Sequence, residues 1–313
     1  MDNIESRGNS EVVIAVLTFK RPDDIARIIP LLIEQAVSIT PSASVLVVDN
    51  DPDGGAREDV AQASGGSDLV RYVHEPTPGI AAARNKALEE AGGARYLVFI
   101  DDDETPSPNW LRLLMTTLRD TGAQAVVGSV VSDYEIPLTD WVKAGRFFDR
   151  RRLPTGTDVS VAATNNLLLD VNWVNSIGLR FDNHFGVTGG SDTLFTRQLH
   201  VAGGRMVWND EAEVIDRVPA KRTHAKWVLQ RAYRSGNGWS RVSLYMAGSG
   251  AHIGLRARLV GRGLIRLVGG STRALLGLLT RDMTHQAKGL RTACRGAGLL
   301  LGALGQHYSE YRR

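Results

Sequence analysis

Asp101, Asp102, Asp103 and Glu104 follow directly on the apolar run Tyr96-Leu97-Val98-Phe99-Ile100. Adjacent carboxylates repel one another, so such a cluster needs either solvent or a divalent cation to neutralise it. Read alone, it also describes a solvated turn with Asp103 or Glu104 near a helix cap. A second acid, Asp192, follows Gly189-Gly190-Ser191. The glycines permit close backbone approach to a ligand, and a carboxylate beside them suits a general base as well as it suits an N-cap. Arg84 and Lys86 fall in the first two turns of an Ala-rich helical segment. Cations there oppose the helix dipole and ask for a bound diphosphate, or for an acid such as Asp101. Asn165 and Asn166 interrupt an apolar run, where inward amides could read sugar hydroxyls.

The elements that position these groups read as an α/β domain. Val12–Phe19, Val45–Val48, Val70–His74, Tyr96–Ile100 and Ala125–Val131 have the length and β-branched content of buried strands. Helical spacing follows Pro22, with Pro30 expected to kink that helix, and recurs from Ile80 and from Trp110. Residues 133–157, including Arg150-Arg151-Arg152, read as an irregular insertion. Val159–Asp170 reads as a strand, and Val207-Trp208 and Val214-Ile215 as two short closing ones. Residues 221–241 form a basic, aromatic helix. Arg258, Arg262 and Arg266 then recur every four residues, a like-charge stripe that asks for an anionic surface or packing in an oligomer. Gly261, Gly263, Gly269 and Gly270 weigh against one continuous helix there. The organisation expected is a body over residues 1–250 and a basic amphipathic extension over 251–313.

Composition bounds the class. The chain has 313 residues, 43% hydrophobic and 23% charged, which is ordinary for a soluble globular protein. Its single cysteine, Cys294, excludes an internal disulfide framework and fits a reducing compartment. The polar opening does not read as a secretory leader, and no apolar run reaches the length of a membrane span. Residues 252–313 carry 11 Lys and Arg against two acids, so +9 sits on the tail of a chain whose net charge is +3. A basic tail on an acidic body points to an anionic membrane surface and weighs against nucleic acid. The glycine-rich fingerprint of dinucleotide sheets is missing after the first strand, which weighs against a nicotinamide enzyme.

Taken together, Thr18-Phe19-Lys20-Arg21-Pro22, Val47-Val48-Asp49-Asn50, Pro78-Gly79-Ile80-Ala81-Ala82-Ala83-Arg84-Asn85, Phe99-Ile100-Asp101-Asp102-Asp103 and Gly189-Gly190-Ser191-Asp192 resemble the inverting family 2 glycosyltransferases. The similarity is nearest to the bacterial exopolysaccharide branch that includes the succinoglycan glucosyltransferases. The resemblance implies a GT-A fold: a Rossmann-like, mostly parallel central sheet flanked by helices, here with a C-terminal helical basic extension. It also implies residue roles. Thr18 and Asp49 would hold the base and ribose, and Arg84 the base or diphosphate, with Arg21 and Asp102 in the same donor site. Asp101 would face the ribose or metal, Asp103 would ligate Mg2+ or Mn2+, and Asp192 would deprotonate the acceptor. Gly190, Ser191, Arg217, His224 and Arg231 would border the site. Relatives usually carry Glu where Ser191 stands, so a helper carboxylate is lost while the base remains. They often carry His where Arg217 stands, so either Asp216 or His224 would substitute, or Arg217 itself would neutralise phosphate. The Gln-x-x-Arg-Trp motif of processive synthases is absent, which favours a single sugar addition.

The resulting expectation is a metal-dependent transferase at the cytoplasmic membrane face, using a nucleotide-sugar donor, UDP-linked by preference. Its acceptor would be a saccharide or lipid-linked saccharide. The competing expectations are a nucleotidyltransferase and a non-catalytic nucleotide-sugar scaffold.

Overall fold

The computed structural model describes residues 10–186, 189–248, 252–306 and 308. A nine-stranded sheet runs in the order β3-β2-β1-β4-β8-β6-β9-β5, with β7 paired to β9. Its parallel half comprises β1 (Val12–Thr18), β2 (Ala43–Asp49), β3 (Val70–His74) and β4 (Tyr96–Asp101). Every residue of β1 is buried because the strand lies between β2 and β4 with both faces covered.

Alternation of side chains assigns those faces. Val13, Ala15 and Leu17 pack with Ala81, Ala83, Ala87 and Leu88 of α3 (Ile80–Glu90). Val12, Ile14 and Val16 pack instead with Ile25, Ile28, Ile29 and Leu32 of α1 (Pro22–Val37) and with α4 (Trp110–Thr121). Pro30 lies inside α1 without ending it. The lost N–H costs one helical bond, whereas the fully buried isoleucine stripe holds the helix to the sheet. A further helix, α2 (Arg57–Ser64), is short and buries only Val60, so no apolar period announces it.

Beyond β4 the sheet becomes antiparallel. Strand β8 (Asn166–Asp170) pairs with β4 and with β6 (Ala125–Tyr134), while β5 (Glu104–Pro106) pairs with β9 (Met206–Val218). Two expectations change here. The run Val159–Asp170 divides into β7 (Asp158–Val159) and β8, and the two closing strands are one, β9. Asn209 carries β9 through its polar middle: its amide donates to Thr117 Oγ1 at 2.7 Å and its oxygen accepts from Ala212 N at 2.7 Å. Asn166 is likewise structural, accepting from Trp110 Nε1 and donating to the Ser129 and Ala212 carbonyls.

The chain divides into two compact units. One comprises Met1–Val131, Arg151–Asn183 and Phe195–Asp216; the other comprises Ser132–Arg150, His184–Leu194 and Arg217–Arg313. Between β6 and β8 the chain forms α5 (Asp140–Gly145) inside the segment read as irregular, and then α6 (Val171–Ser176) and α7 (Ser191–Val201) follow. The second unit is built on α8 (Ala225–Ala247), α9 (His252–Leu279) and α10 (Met283–Ala303).

Helix α9 is continuous through its glycines, contrary to the sequence expectation. Gly263, Gly270 and Gly277 recur every seven residues on the face turned to α10. A Cβ on Gly270 would meet Ala293 N at 2.4 Å, and one on Gly289 would meet Ala274 N at the same distance. The missing side chains let the two backbones touch, and that contact offsets the weak helix propensity of glycine.

Candidate active site

Strand β4 ends on Asp101, Asp102 and Asp103 form the turn, and β5 begins with Glu104. Arg21, between β1 and α1, closes on this turn: its Nη1 lies 2.7 Å from Asp102 Oδ1 and 3.0 Å from Asp103 Oδ2. Glu104, 1% exposed, accepts the Asp101 backbone N–H at 3.2 Å and the Asn165 side-chain amide. Asp216 stands opposite Glu104 in the β5–β9 register.

These carboxylates are crowded. Burial pushes Asp101 up to about 6; Arg84 works against that shift, and Asp103 and Asp216 add to it. Burial pushes Asp102 up to about 7 despite Arg21, with Asp103 and Asp101 contributing. Burial and then Asp101 drive Glu104 well above the ordinary carboxylate range. The Thr18 hydroxyl is buried without a well-formed hydrogen bond, yet is close enough to Asp102 to ease its ionisation.

The neighbouring strand end is organised by Asp49. Its Oδ1 accepts Asp51 N at 2.9 Å, and its Oδ2 accepts Ala56 N and Tyr72 Oη, each at 2.9 Å. A fully buried carboxylate thus ties down the loop after β2. Asn50 continues the frame, donating to the Glu75 and Thr77 carbonyls and accepting Gly79 N at the start of α3. Gly79 holds φ +121, which a side chain would disfavour. Arg84 extends from α3 over the Phe181 ring, 5.4 Å from its centroid.

Thr18, Arg21, Asp49, Arg84, Asp101, Asp102 and Asp103 therefore share the first unit, with Arg21 touching two of the acids. Gly190, Ser191, Asp192, Arg217, His224 and Arg231 belong to the second. Ser191 is buried at the first position of α7, and Asp192 lies in that first turn, accepting Thr193 N at 2.7 Å. Gly190 has φ +96 and packs against Val242, so this helix start is braced by α8. Arg217 and His224 are exposed; Arg231 lies over the Trp227 ring, 5.5 Å from its centroid. Val187 and Thr188, beside the glycines, lie outside the described residues.

A family model described as glycosyl transferase family 2 matches residues 13–178, running from β1 through α6. The chain belongs to glycosyl transferase family 2. The succinoglycan biosynthesis protein ExoM of Rhizobium meliloti (strain 1021) is 34% identical over 230 residues, 73% of this chain and 74% of that protein. Glycosyltransferase AglE of Haloferax volcanii is 30% identical over 199 residues, 63% of each chain. Among solved structures, S. aureus TarS 1-349 superposes with a TM-score of 0.53 at 13% identity, covering 95% of this chain and 93% of that one. GalNAc-T7 with UDP, GalNAc and Mn2+ gives 0.53 at 12% identity, covering 75% and 51%. At such identities the structures show the fold alone, and that fold is the GT-A architecture expected from the sequence.

Family 2 enzymes of this fold commonly use a divalent metal. The first unit's acids suit one: their oxygens are hard donors, and burial first, then the neighbouring acids, raise the cost of leaving them ionised without a counter-charge. Among the described residues no group of three or more His, Cys, Asp or Glu is placed to hold a metal ion by itself. An ion there would take one or two carboxylates and complete its shell with substrate phosphate and water, the usual manner of Mg2+.

Sequence reasoning passed over Tyr72, which carries the hydrogen bond to Asp49, and the framing role of Asn50. Asn50 could have been found from its place immediately after the β2 acid. Tyr72 could not, because its partner is 23 residues away.

Proposed function

We propose that this family 2 glycosyltransferase moves one sugar from a nucleotide diphosphate sugar, UDP-linked by preference, to a hydroxyl of a saccharide or lipid-linked acceptor, with inversion. The observation that carries the reading is the pairing, at one strand end, of crowded Asp101, Asp102 and Asp103 with Arg21. Asp103, with Asp101, would hold Mg2+ or Mn2+. That ion supplies charge stabilisation for the leaving diphosphate. Arg84 offers the same anion a second positive group, and Asp49 keeps the loop after β2 in place as a positioning residue. Asp192 takes the proton from the acceptor hydroxyl, which is otherwise a poor nucleophile. One base attacking in line inverts the anomeric centre, and no paired acid is needed because the leaving diphosphate requires no proton. Gly190, Ser191, Arg217, His224 and Arg231 are assigned to the acceptor side.

The transferase chemistry is assigned to residues 1–250, and contact with an anionic membrane surface at the inner face of the cell to residues 251–313. Ile265, Val268, Leu275, Leu276 and Leu279 support the membrane assignment, being exposed apolar residues on a helix that also carries arginines. No helix among the described residues is long and apolar enough to cross a membrane. Packing in a homo-oligomer is the alternative use of this face.

The deciding experiment incubates the protein with a panel of UDP- and GDP-sugars, with and without Mn2+. Release of nucleoside diphosphate only with metal is expected. Pyrophosphate release from a nucleoside triphosphate and a sugar phosphate would make it a nucleotidyltransferase, and binding without turnover would make it a scaffold.

A further inference from the structure

A second site lies wholly within the second unit. Arg266 and Arg273 of α9 face Lys288, Arg291 and Arg295 of α10 across a cleft of about 460 Å3, to which Arg146 after α5 adds a sixth cation. Asp149 is the one acid in the lining, and it pairs with Arg146. Six cations against one acid leave the cleft at +5.

Helix packing forces this crowding. The glycine contacts that let α9 and α10 touch also bring their cationic rows side by side, two turns deep on each helix. Arg291 is fixed in place: it donates to the Arg146 carbonyl at 2.7 Å and lies over the Phe147 ring, 5.8 Å from its centroid. Burial, followed by Arg266 and Arg291, depresses the proton affinity of Arg295 below that of an ordinary guanidinium. Folding therefore gathers like charges that would separate freely on an open surface, an arrangement that a multiply charged anion would stabilise. Five of the six cations are arginine, whose planar fork matches phosphate oxygens in pairs.

The same helix carries an apolar surface beside these cations. Ile265 and Leu276, 74% and 53% exposed, adjoin Arg266 and Arg273 on the side of α9 turned away from α10, and Val268, Leu275 and Leu279 extend the apolar surface around the helix. Contiguous apolar surface of this kind marks a contact with hydrocarbon or another partner.

We propose that the cleft between α9 and α10 binds the headgroup of an amphiphile carrying two or more phosphate charges, with its hydrocarbon laid along the exposed apolar face of α9. The inference rests on the membrane-facing part of the proposed function and gives it a defined ligand class.

The test measures binding of an alkyl diphosphate and of inorganic pyrophosphate to the full chain by calorimetry. It also measures co-sedimentation with phosphatidylcholine vesicles that contain either phosphatidic acid or charge-matched phosphatidylserine. Two variants remove two cations each from α9: Arg266→Gln with Arg273→Gln inside the cleft, and Arg256→Gln with Arg258→Gln outside it. A third, Lys288→Gln with Arg295→Gln, reads the same cleft from α10. The alkyl diphosphate should bind more tightly than pyrophosphate, and phosphatidic acid vesicles should bind more than phosphatidylserine ones. Both cleft variants should weaken alkyl diphosphate at least about tenfold, the equivalent of one good charge-assisted contact, with the outside variant nearly unchanged. Equal losses in the inside and outside variants would reduce the site to diffuse charge and overturn it. Pyrophosphate binding as tightly as the alkyl diphosphate would overturn the amphiphile. UDP release in solution is read separately, so a parent chain that releases UDP but does not bind the alkyl diphosphate sinks this inference alone.

Discussion

Arg21 Nη1 bridges Asp102 and Asp103 at 2.7 and 3.0 Å, so a guanidinium neutralises Asp103, a proposed metal ligand, together with its neighbour Asp102. Replacing Arg21 by Gln leaves Asp102 buried without its cation. The expected cost is about 1–3 kcal/mol, less than for a fully buried pair because the Arg21 side chain is 37% exposed. Mn2+ should then restore more thermal stability to the variant than it adds to the parent. Equal Mn2+ responses in thermal denaturation would separate Arg21 from the metal site.

Asp103→Asn and Asp192→Asn test opposite ends of the proposed chemistry. Each should lower nucleotide-sugar turnover by roughly two to four orders of magnitude, the range for a lost metal ligand or general base. The melting temperature of Asp103→Asn should hold or rise, because the substitution removes a repulsive neighbour of Asp101. Only Asp103→Asn should lose the Mn2+ response. Undiminished turnover in either folded variant would reject that residue's role.

Burial, followed by the hydrogen bond to Asp49, pushes the Tyr72 phenol up to about 12 from its ordinary value of 10.0. The folded state therefore holds this proton more tightly than the unfolded chain. Its contribution to stability is intact below pH 10 and is lost as pH rises through about 12. Ultraviolet titration should show a late phenolate transition that disappears in Tyr72→Phe, and the variant should lose less stability across that window. A transition at the ordinary value would show that Asp49 does not hold the phenol.

Gly270 and Gly269 are adjacent but face different surroundings. A Cβ on Gly270 would meet Ala293 N at 2.4 Å, whereas one on Gly269 has nothing within 4 Å. Gly270→Ala should destabilise by about 1–3 kcal/mol through overpacking, and Gly269→Ala should stabilise by up to about 1 kcal/mol through helix propensity. Chemical denaturation of the two variants checks the sign at each site, and like effects would mean that α9 and α10 are not in backbone contact.

Much of the first unit was legible because its signals are local. The run Tyr96–Ile100 ending in acids, the isoleucine stripe after Pro22 and the alanines after Gly79 each declare an element within a dozen residues. The errors fall where local and tertiary preferences compete. The α9 glycines oppose a helix locally, but a neighbouring backbone outweighs them. The polar centre of β9 reads as a gap until Asn209 is seen satisfied by Thr117 from another element.

The order of residue types along the chain was enough to determine that a buried strand delivers Asp101, Asp102 and Asp103 to a sheet edge, that the body is α/β, and that positive charge gathers in the last fifth of the chain. Only tertiary structure decided that Arg21 answers two of those acids, that Tyr72 and Asn50 hold the adjoining loop, and that Arg266 and Arg273 share one cleft with four more cations. Strand and helix preferences act between residues a few positions apart and so leave a pattern in the chain. Hydrogen bonds and electrostatic repulsion act through space, and the spacing of residues along the chain does not record which distant groups folding will bring together.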